Sequence, residues 1–560
     1  MIRVRKIGLA QILILFVLLI MFVNKVLVGI DIDETYCVAL GARFVQGDLM
    51  LKDMWEVHQT SAIWCAIIMY YFKAVTGGYT GVVIFLRIVT IIIKSVIAYF
   101  SYILLRNHYK NAWIAAIAFL IMTPKGIFNL DFSHVAFICF YMVEVNLLVI
   151  YCEREYDNKS RRIFLSISAG LWLSIGVLAY PTMIVVALAV AISCVIMLKN
   201  NKNMLYTTLL SIFITCIICC TIFVCYLLSY MTFNEIILNV SGLLRGNESH
   251  WGNGFVKLLS KFVLDKDKFL QGIMIYTAAY GMALFVRKFY KINIPIVYYV
   301  LLVPSIVLIL LNITGFRPSG ILGLNVRYII IYICMLEIVS IKKNDEVFWS
   351  FYFISLIGLF GATMGTDLSI GESCSYMLTS VIGLILVSQG HNDNLQNKTA
   401  ILTCIFGFVI SLVFINGYIV RVSGTSPANI LEIREQITEG PLKGVYVYPE
   451  YREGYIKKTE EIKRLVNDKD KVLIASRDSI YCIMLPVRFT TSCLMMTSKY
   501  KQIWWDYYSG RELPTLVLVD REYDPDYESF VNLGLGEFLS SKNYERFDEC
   551  ESFWVLRKND

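Results

Sequence analysis

Apolar and polar residues alternate in long blocks along the chain up to residue 420. Runs of about 20 apolar residues recur, and each is long enough to cross roughly 30 Å of hydrocarbon. The pattern therefore predicts an α-helical multi-spanning membrane bundle with about thirteen transmembrane helices. We place these helices at residues 7–28, 81–105, 112–124, 132–152, 163–180, 182–198, 204–230, 272–287, 293–313, 324–341, 347–362, 374–390 and 399–420.

The pattern changes at residue 421, where charged residues become frequent and the long apolar runs stop. Short runs typical of strands now alternate with stretches that have helical spacing, which is typical of an α/β domain. The strand-like runs are 444–448, 471–475, 515–519 and 552–556, and the helical stretches are 455–468 and 500–510. We predict a transmembrane domain over residues 1–420 and a small α/β domain over residues 421–560.

The composition agrees with a membrane protein, because hydrophobic residues make up 57% of the chain and charged residues only 17%. The formal net charge of +7 is explained by basic loops that orient the helices, so we predict no nucleic-acid partner. The fifteen cysteines are scattered, which argues against a disulfide framework and a zinc site. Cys482, Cys493 and Cys550 lie in the C-terminal domain and could form one pair in an oxidising compartment.

The basic residues also predict the orientation of the chain. Arg3, Arg5 and Lys6 precede the first span, which places the N-terminus in the cytoplasm. The later basic loops fall on the same side only if residues 60–76 form an interfacial helix in the outer leaflet. The C-terminal domain is then extracytoplasmic, residues 231–271 form a long outer loop, and the chain is a multi-pass protein of the cell membrane, surrounded by membrane lipids.

The segment after the first span, residues 29–61, is rich in ionisable side chains, although its neighbours are apolar. Charged groups beside a bilayer are costly and commonly functional. This acidic loop contains Asp31, Asp33, Glu34, Asp53, Glu56 and His58. A simpler interpretation stays open, because Asp33 and Glu34 begin a helix predicted over 33–44, where carboxylates cap the helix and favour its dipole.

A second outer loop, residues 124–134, contributes Lys125, Asp131 and His134. If it folds against the acidic loop, Asp131 and His134 complete a metal or donor site. In the simpler alternative, Asp131 only caps the helix that follows. Deep within two spans, Lys94 and Glu144 would each cost at least about 2.5 kcal/mol if unpaired, so we expect them to pair.

The order of residues in the acidic loop resembles a known family. It has an Asp-Glu pair at 33–34, an aromatic residue at 36, Gly-Asp at 47–48 and Asp-x-x-Glu-x-His-Gln at 53–59. This order resembles the first extracytoplasmic loop of GT-C glycosyltransferases, a superfamily that includes protein mannosyltransferases and lipid A aminoarabinose transferases. Arg87 after a Gly-Gly turn, and Arg327-Tyr328 at a late span, are similar to the family pattern. His58-Gln59-Thr60 departs from it, since many members have His-Pro-Pro there.

The resemblance implies an inverting enzyme that moves a sugar from a polyprenyl-phosphate carrier to a glycan, lipid or protein acceptor. In such a transfer one carboxylate takes the acceptor's proton, and by resemblance this base is Asp33, with Glu34 assisting it or only bonding to its surroundings. The phosphate leaving group needs cationic or polar partners, for which we assign Arg327, Tyr328, Arg87 and Arg317. Acceptor binding, or a divalent cation such as Mg²⁺ or Mn²⁺, is assigned to Asp53, Glu56, His58, Asp131 and His134.

Two other classes of membrane protein remain as alternatives. A flippase or transporter for a lipid-linked glycan commonly has inverted repeats with matched helix breaks, and we find no clear internal repeat. A polysaccharide polymerase or ligase places its key residues in large late outer loops, whereas here the acidic cluster comes first. The sequence therefore favours the glycosyltransferase.

Overall fold

The computed structural model describes residues 26–109, 112–121, 129–155, 158–246, 346–364, 433–485, 487–494 and 501–558, together with isolated residues between these ranges. Helices dominate the part before residue 365. They are α1 (Ile32–Val45), α2 (Ala62–Thr76), α3 (Val82–Leu105), α4 (Ala112–Ile121), α5 (Phe132–Cys152), α6 (Lys159–Ala179), α7 (Val185–Leu198, preceded by the 3-10 turn Pro181–Ile184), α8 (Lys202–Leu228), α9 (Phe233–Gly246) and α10 (Glu346–Met364).

Five helical segments in the described ranges are long and apolar enough to cross a membrane. They are α3, α5, α6, α8 and Pro181–Leu198, which joins the 3-10 turn to α7. Each coincides with a span drawn from the sequence, so the chain has the helices of a membrane protein. Of the predicted span 112–124, residues 112–121 form the described helix α4, and the predicted span 347–362 lies within α10. The predicted spans 7–28, 272–287, 293–313, 324–341, 374–390 and 399–420 lie outside the described stretches or reach them only at isolated residues.

Helix α5 lies at the centre of this helical part. Its most apolar window is 89% buried, whereas the corresponding window of α8 is only 17% buried. α6 packs between these two helices, and a glycine makes the contact with α8 close. A Cβ added at Gly170 would lie 2.8 Å from the Cβ of Thr215, so only glycine permits this approach.

The expected ion pair between Lys94 and Glu144 is not among the ion pairs of the described residues. Both side chains are buried. The Lys94 ammonium lies instead 5.3 Å from the ring centroid of Phe119 and 5.7 Å from that of Phe137. Aromatic faces attract cations, which gives Lys94 a favourable environment of a kind that the sequence did not indicate.

Helix α2 occupies the segment predicted as an interfacial helix and ends at Gly77, whose φ of 78° is the left-handed conformation of a C-terminal cap. Several of its large apolar side chains are exposed: Ile63, Trp64, Ile67, Tyr70, Tyr71 and Val75. This character suits an interfacial helix, and the position of α2 at a membrane surface stays a prediction.

The C-terminal part contains a four-stranded sheet. Two-residue strands β1 (Ile30–Asp31) and β2 (Val420–Arg421) pair in parallel, and β3 (Glu435–Gln436) and β4 (Tyr446–Val447) pair antiparallel. The larger sheet has the order β5-β6-β8-β7, with β5 and β6 parallel and the other pairs antiparallel. Its strands are β5 (Val472–Ala475), β6 (Leu516–Asp520), β7 (Tyr544–Glu549) and β8 (Phe553–Lys558).

Four helices accompany this sheet: α11 (Pro449–Leu465), α12 (Lys501–Tyr507), α13 (Tyr527–Val531) and α14 (Gly534–Ser541). The predicted strand runs overlap β4, β5, β6 and β8, and the predicted helices overlap α11 and α12. A small α/β sheet region at the C-terminus is therefore confirmed. Cys482, Cys493 and Cys550 are free thiols, so the pairing considered for them is not found.

Candidate functional site

The first half of the acidic loop forms helix α1. Asp31 is its N-cap, with an extended backbone and a carboxylate Oδ1 that accepts the N–H of Asp33 at 2.9 Å. Asp33 and Glu34 therefore lie in the first turn, where the helix dipole favours negative charge. The N-cap is thus Asp31, for which no role was predicted, and not Asp33 or Glu34, although the predicted helix start places these two correctly in the first turn. Three carboxylates meet at one helix end.

Glu34 is held by a buried arginine from α3. Nε of Arg87 donates to Oε1 of Glu34 at 2.7 Å, and Nη2 donates to Oε2 at 2.6 Å. The same guanidinium donates to the carbonyls of Val26 and Gly29 at 2.9 and 2.7 Å. Burial raises the pKa of Glu34, although Arg87 acts against this. Arg87 thus fixes the start of α1, and Glu34 bonds to its surroundings, as one of its two predicted roles required; a role of Arg87 at the phosphate and of Glu34 beside the base stays a prediction.

Asp33 differs from its two neighbours in exposure. The side chains of Asp31 and Glu34 are buried, at 7% and 2% relative exposure, whereas Asp33 is half-buried. Asp33 is therefore the most exposed of the three carboxylate residues at this helix end.

The far end of α1 is held by a second buried arginine. Nε of Arg43 donates to Oδ2 of Asp48 at 2.5 Å, Nη2 donates to the carbonyl of Asp53 at 2.8 Å, and Nη1 donates to the carbonyl of Thr491 at 2.8 Å. Burial acts to lower the pKa of Arg43, but Asp48 outweighs it and the pKa lies above its ordinary value. Arg43 therefore ties the acidic loop to the C-terminal part of the chain.

A third arginine reaches this cluster from the C-terminal part. Arg488 donates from Nε to Oδ1 of Asp48 at 2.9 Å, and its Nη2 lies 3.5 Å from Oδ2 of Asp53. Its side chain is 56% exposed, unlike those of Arg43 and Asp48. Asp53 Oδ2 also accepts the N–H of Leu49 at 2.8 Å. The carboxylate of Asp53 is thus part of the loop's own scaffold.

Glu56 is buried between the acidic loop and residues 487–494. Its Oε2 accepts the hydroxyl of Tyr36 at 2.8 Å, and its Oε1 accepts the N–H of Leu494. Burial raises the pKa of Glu56 from 4.5 to about 7, although both hydrogen bonds act to lower it. Next to it, the N–H of Trp55 donates to the carbonyl of Ser492 at 2.8 Å. Glu56 therefore joins two distant parts of the sequence.

The described end of the segment 124–134, residues 129–134, packs against the acidic loop, as one of the two interpretations required. The ring of His58 stacks on Phe132, with centroids 3.7 Å apart and planes inclined by 6°. The thiol of Cys37 donates to the carbonyl of Leu130 at 3.4 Å. Asp131 caps α5 by accepting the N–H of His134 at 2.7 Å, which is the role that the simpler alternative gave it.

These contacts do not produce a common metal site. Within the described parts of the chain, no group of three or more His, Cys, Asp or Glu side chains is arranged to hold a metal ion. The physical reason lies in the partners found for the candidates: Asp53 accepts from Leu49, Glu56 accepts from Tyr36 and Leu494, and His58 lies flat on an aromatic ring. The residues predicted to bind Mg²⁺ or Mn²⁺ are therefore not arranged together in a way that would hold such an ion.

Three predicted candidates are not placed by the structure, and several residues of the site were not predicted. Arg317, Arg327 and Tyr328 lie outside the described residues. Tyr36 and Asp48 entered the sequence analysis only as members of the motif, without a role, and Arg43 and Arg488 were not singled out. Arg43 and Asp48 carried a signal as opposite charges five residues apart. Arg488 lies 440 residues from its partner Asp48, and no local pattern connects them.

No protein-family model and no curated protein sequence matches the chain.

Proposed function

We propose that the protein is a membrane-embedded inverting glycosyltransferase that takes its sugar from a polyprenyl-phosphate carrier. The observation that carries the proposal is the helix end at Asp31–Glu34. There Arg87 pairs with Glu34, Asp31 caps the helix, and Asp33 is half-buried between these two buried residues. The resemblance of the acidic loop to GT-C enzymes supports the same choice of residue.

The proposed reaction is a single displacement. The acceptor's hydroxyl oxygen attacks the anomeric carbon as the bond from that carbon to the phosphate oxygen breaks. The Asp33 carboxylate takes the hydroxyl proton, which makes the oxygen a better nucleophile. The polyprenyl phosphate leaves with the bonding electrons, and the configuration at the anomeric carbon inverts.

The phosphate has to be stabilised as its charge grows. Arg327, Tyr328 and Arg317 remain our choices for this role, because an arginine fork matches phosphate geometry. Asp53, Glu56 and His58 act less directly in this proposal. They shape the wall against which the acceptor lies, since each is held by contacts within or beyond the acidic loop.

A transfer assay tests the proposal. Purified protein in liposomes is incubated with radiolabelled polyprenyl-phosphate sugars and a membrane extract as the source of acceptors. We expect label to move to the acceptor fraction and Asp33→Asn to lower the rate by roughly 10²–10⁴-fold, the usual contribution of a general base. Asp526→Asn is the matched control, because Asp526 caps α13 far along the chain and asparagine also caps.

Two results would overturn the proposal in different ways. Normal transfer by Asp33→Asn would remove that residue from the role of base while leaving the enzyme class standing. Movement of the intact lipid-linked sugar across the liposome, without transfer of label to any acceptor, would instead identify a flippase or transporter.

A further inference from the structure

Helix α9 follows closely after the longest apolar helix of the described chain. α8 ends at Leu228 and α9 begins at Phe233, with only Ser229–Thr232 between them. Thr232 and Glu235 form a capping box: the Glu235 N–H donates to the Thr232 hydroxyl at 3.3 Å, and the Thr232 N–H donates to Glu235 Oε2 at 2.7 Å. A new helix thus starts at the level where α8 stops.

The length of α9 decides how it can relate to a bilayer. Its 14 residues span about 21 Å at 1.5 Å per residue, which is short of the roughly 30 Å of hydrocarbon that a crossing requires. α8, with 27 residues, is long enough to cross. The described part of α9 is therefore too short to form a second crossing.

One face of α9 is fixed to the acidic loop and the C-terminal part. Gly242 lies against the indole of Trp55 so closely that an added Cβ would come within 2.5 Å of the ring. Asn239 is buried, and its Oδ1 accepts from Nη2 of Arg511 at 3.4 Å. Leu243 is buried in the same hydrophobic cluster as Trp55 and Tyr507. This inward face is well packed.

The opposite face is apolar and exposed. Phe233, Ile237 and Leu238 are 63%, 54% and 64% exposed, and Leu244 is 45% exposed. At about 100° per residue, Phe233, Ile237 and Leu244 lie along one side of the helix, and Leu238 lies at the flank of this side, about 100° from Ile237. Contiguous large apolar side chains of this kind mark a surface that is covered by a partner or by lipid.

We propose that this face of α9 lies in the lipid at the membrane surface where α8 ends, at the boundary between headgroups and acyl chains. The exposed apolar surface of α8, which includes Ile222 at 64%, continues into it across four residues, and a short helix with one apolar face suits an interfacial position. Through Gly242 and Trp55, the helix holds the acidic loop at that surface. The inference concerns anchoring and does not depend on the proposed reaction.

Photo-crosslinking to lipid tests this placement. A benzophenone amino acid replaces Leu238, and in a second variant Ile237, in full-length protein reconstituted into phosphatidylcholine liposomes. Phe213, which is 62% exposed on α8, is the positive control, and Phe547, which is 64% exposed on β7, is the control outside the membrane. After illumination, lipid adducts are quantified by mass spectrometry of the peptides.

We expect lipid adducts at positions 238 and 237 with a yield similar to that at position 213 and at least about tenfold above that at position 547. Adducts at 213 but not at 238 or 237 would contradict the proposal. Crosslinks from 238 to protein would also overturn it, because they would show that another part of the chain, or a second copy, covers this face.

Discussion

Two buried arginines hold the two ends of helix α1, and they do so with different partners. Arg87 binds Glu34 and the carbonyls of Val26 and Gly29, so all its partners lie close to the first turn of α1. Arg43 binds Asp48 and reaches the carbonyl of Thr491, a residue from the other end of the chain. One arginine sets the local shape of the candidate site, and the other attaches the loop to the C-terminal part.

The two arginines also differ in whether the carboxylate that each one binds has a second cationic partner. Glu34 is buried and the described guanidinium paired with it is Arg87 alone. Asp48 is equally buried but is paired with Arg43 and with Arg488. The Arg87 pair is therefore the more vulnerable, because breaking it leaves a buried carboxylate without its main counter-charge.

The largest effect is expected for Arg87→Met. Removing one partner of a buried ion pair costs about 3–5 kcal/mol, measured as the free energy of unfolding by denaturant in detergent micelles. Arg87→Met combined with Glu34→Leu should recover most of this, because no charge then stays buried. The exposed pair Lys457 and Glu551 supplies the control, and Lys457→Met should remain close to wild type. Wild-type stability of the Arg87→Met protein would contradict this comparison.

The next effect concerns Glu56 and depends on pH. Its raised pKa means that the folded protein binds a proton more tightly than the unfolded chain, so its stabilising contribution is full below pH 4.5 and is lost as the pH rises through about 7. The change from 4.5 to about 7 corresponds to roughly 3 kcal/mol.

The test compares wild type with Glu56→Gln, which has no proton to lose. We expect the unfolding midpoint of wild type to decrease relative to that of the variant as the pH is raised from 5 to 8. If the unfolding midpoints of the two proteins differ by the same amount at every pH in this range, Glu56 does not titrate there.

A smaller loss of stability is expected for Arg43→Met, because Asp48 keeps its ion pair with Arg488. We expect a loss of about 1.5–3 kcal/mol, the usual size of hydrogen bonds to charged groups. The distinctive readout is hydrogen–deuterium exchange of peptides covering residues 487–494, which should increase preferentially in this variant and much less in the Arg87 variant. Equal increases in both variants would mean that the two ends of α1 are not independent.

The smallest effect is expected for Arg488→Gln. Its side chain is 56% exposed, and an ion pair to an exposed partner contributes about 0–1 kcal/mol. The free energy of unfolding should therefore change little. A cost as large as that of Arg43→Met would show that the exposed arginine, rather than the buried one, carries the attachment.

Much of the fold was predictable because many side chains indicate the same element. Helices α3, α5, α6 and α8 follow the apolar runs within a few residues, and β5 and β6 follow runs of aliphatic residues. Strand β7, with the sequence YERFDE, was missed because its residues are mostly polar. Helix α9 was predicted as part of a loop, although Thr232 and Glu235 carry the capping signature that could have revealed it.

The candidate site was predictable only in part, for a physical reason. The sequence placed Asp33 and Glu34 at a helix start, and the structure agrees. Glu34 is held by Arg87, which lies 53 residues away from it in the chain, and Glu56 accepts the N–H of Leu494, which lies 438 residues away. Contacts of this kind form when segments distant in the sequence pack together, so no local spacing of residues predicts them.

The most direct test of the central claim is a single-turnover measurement on Asp33→Asn. Protein is first loaded with radiolabelled polyprenyl-phosphate sugar, the bound donor is quantified, and acceptor is then added. We predict that the variant binds donor like wild type and transfers it at least about 10²-fold more slowly, because only the proton acceptor is lost. Transfer at the wild-type rate from an equally loaded variant would contradict the account.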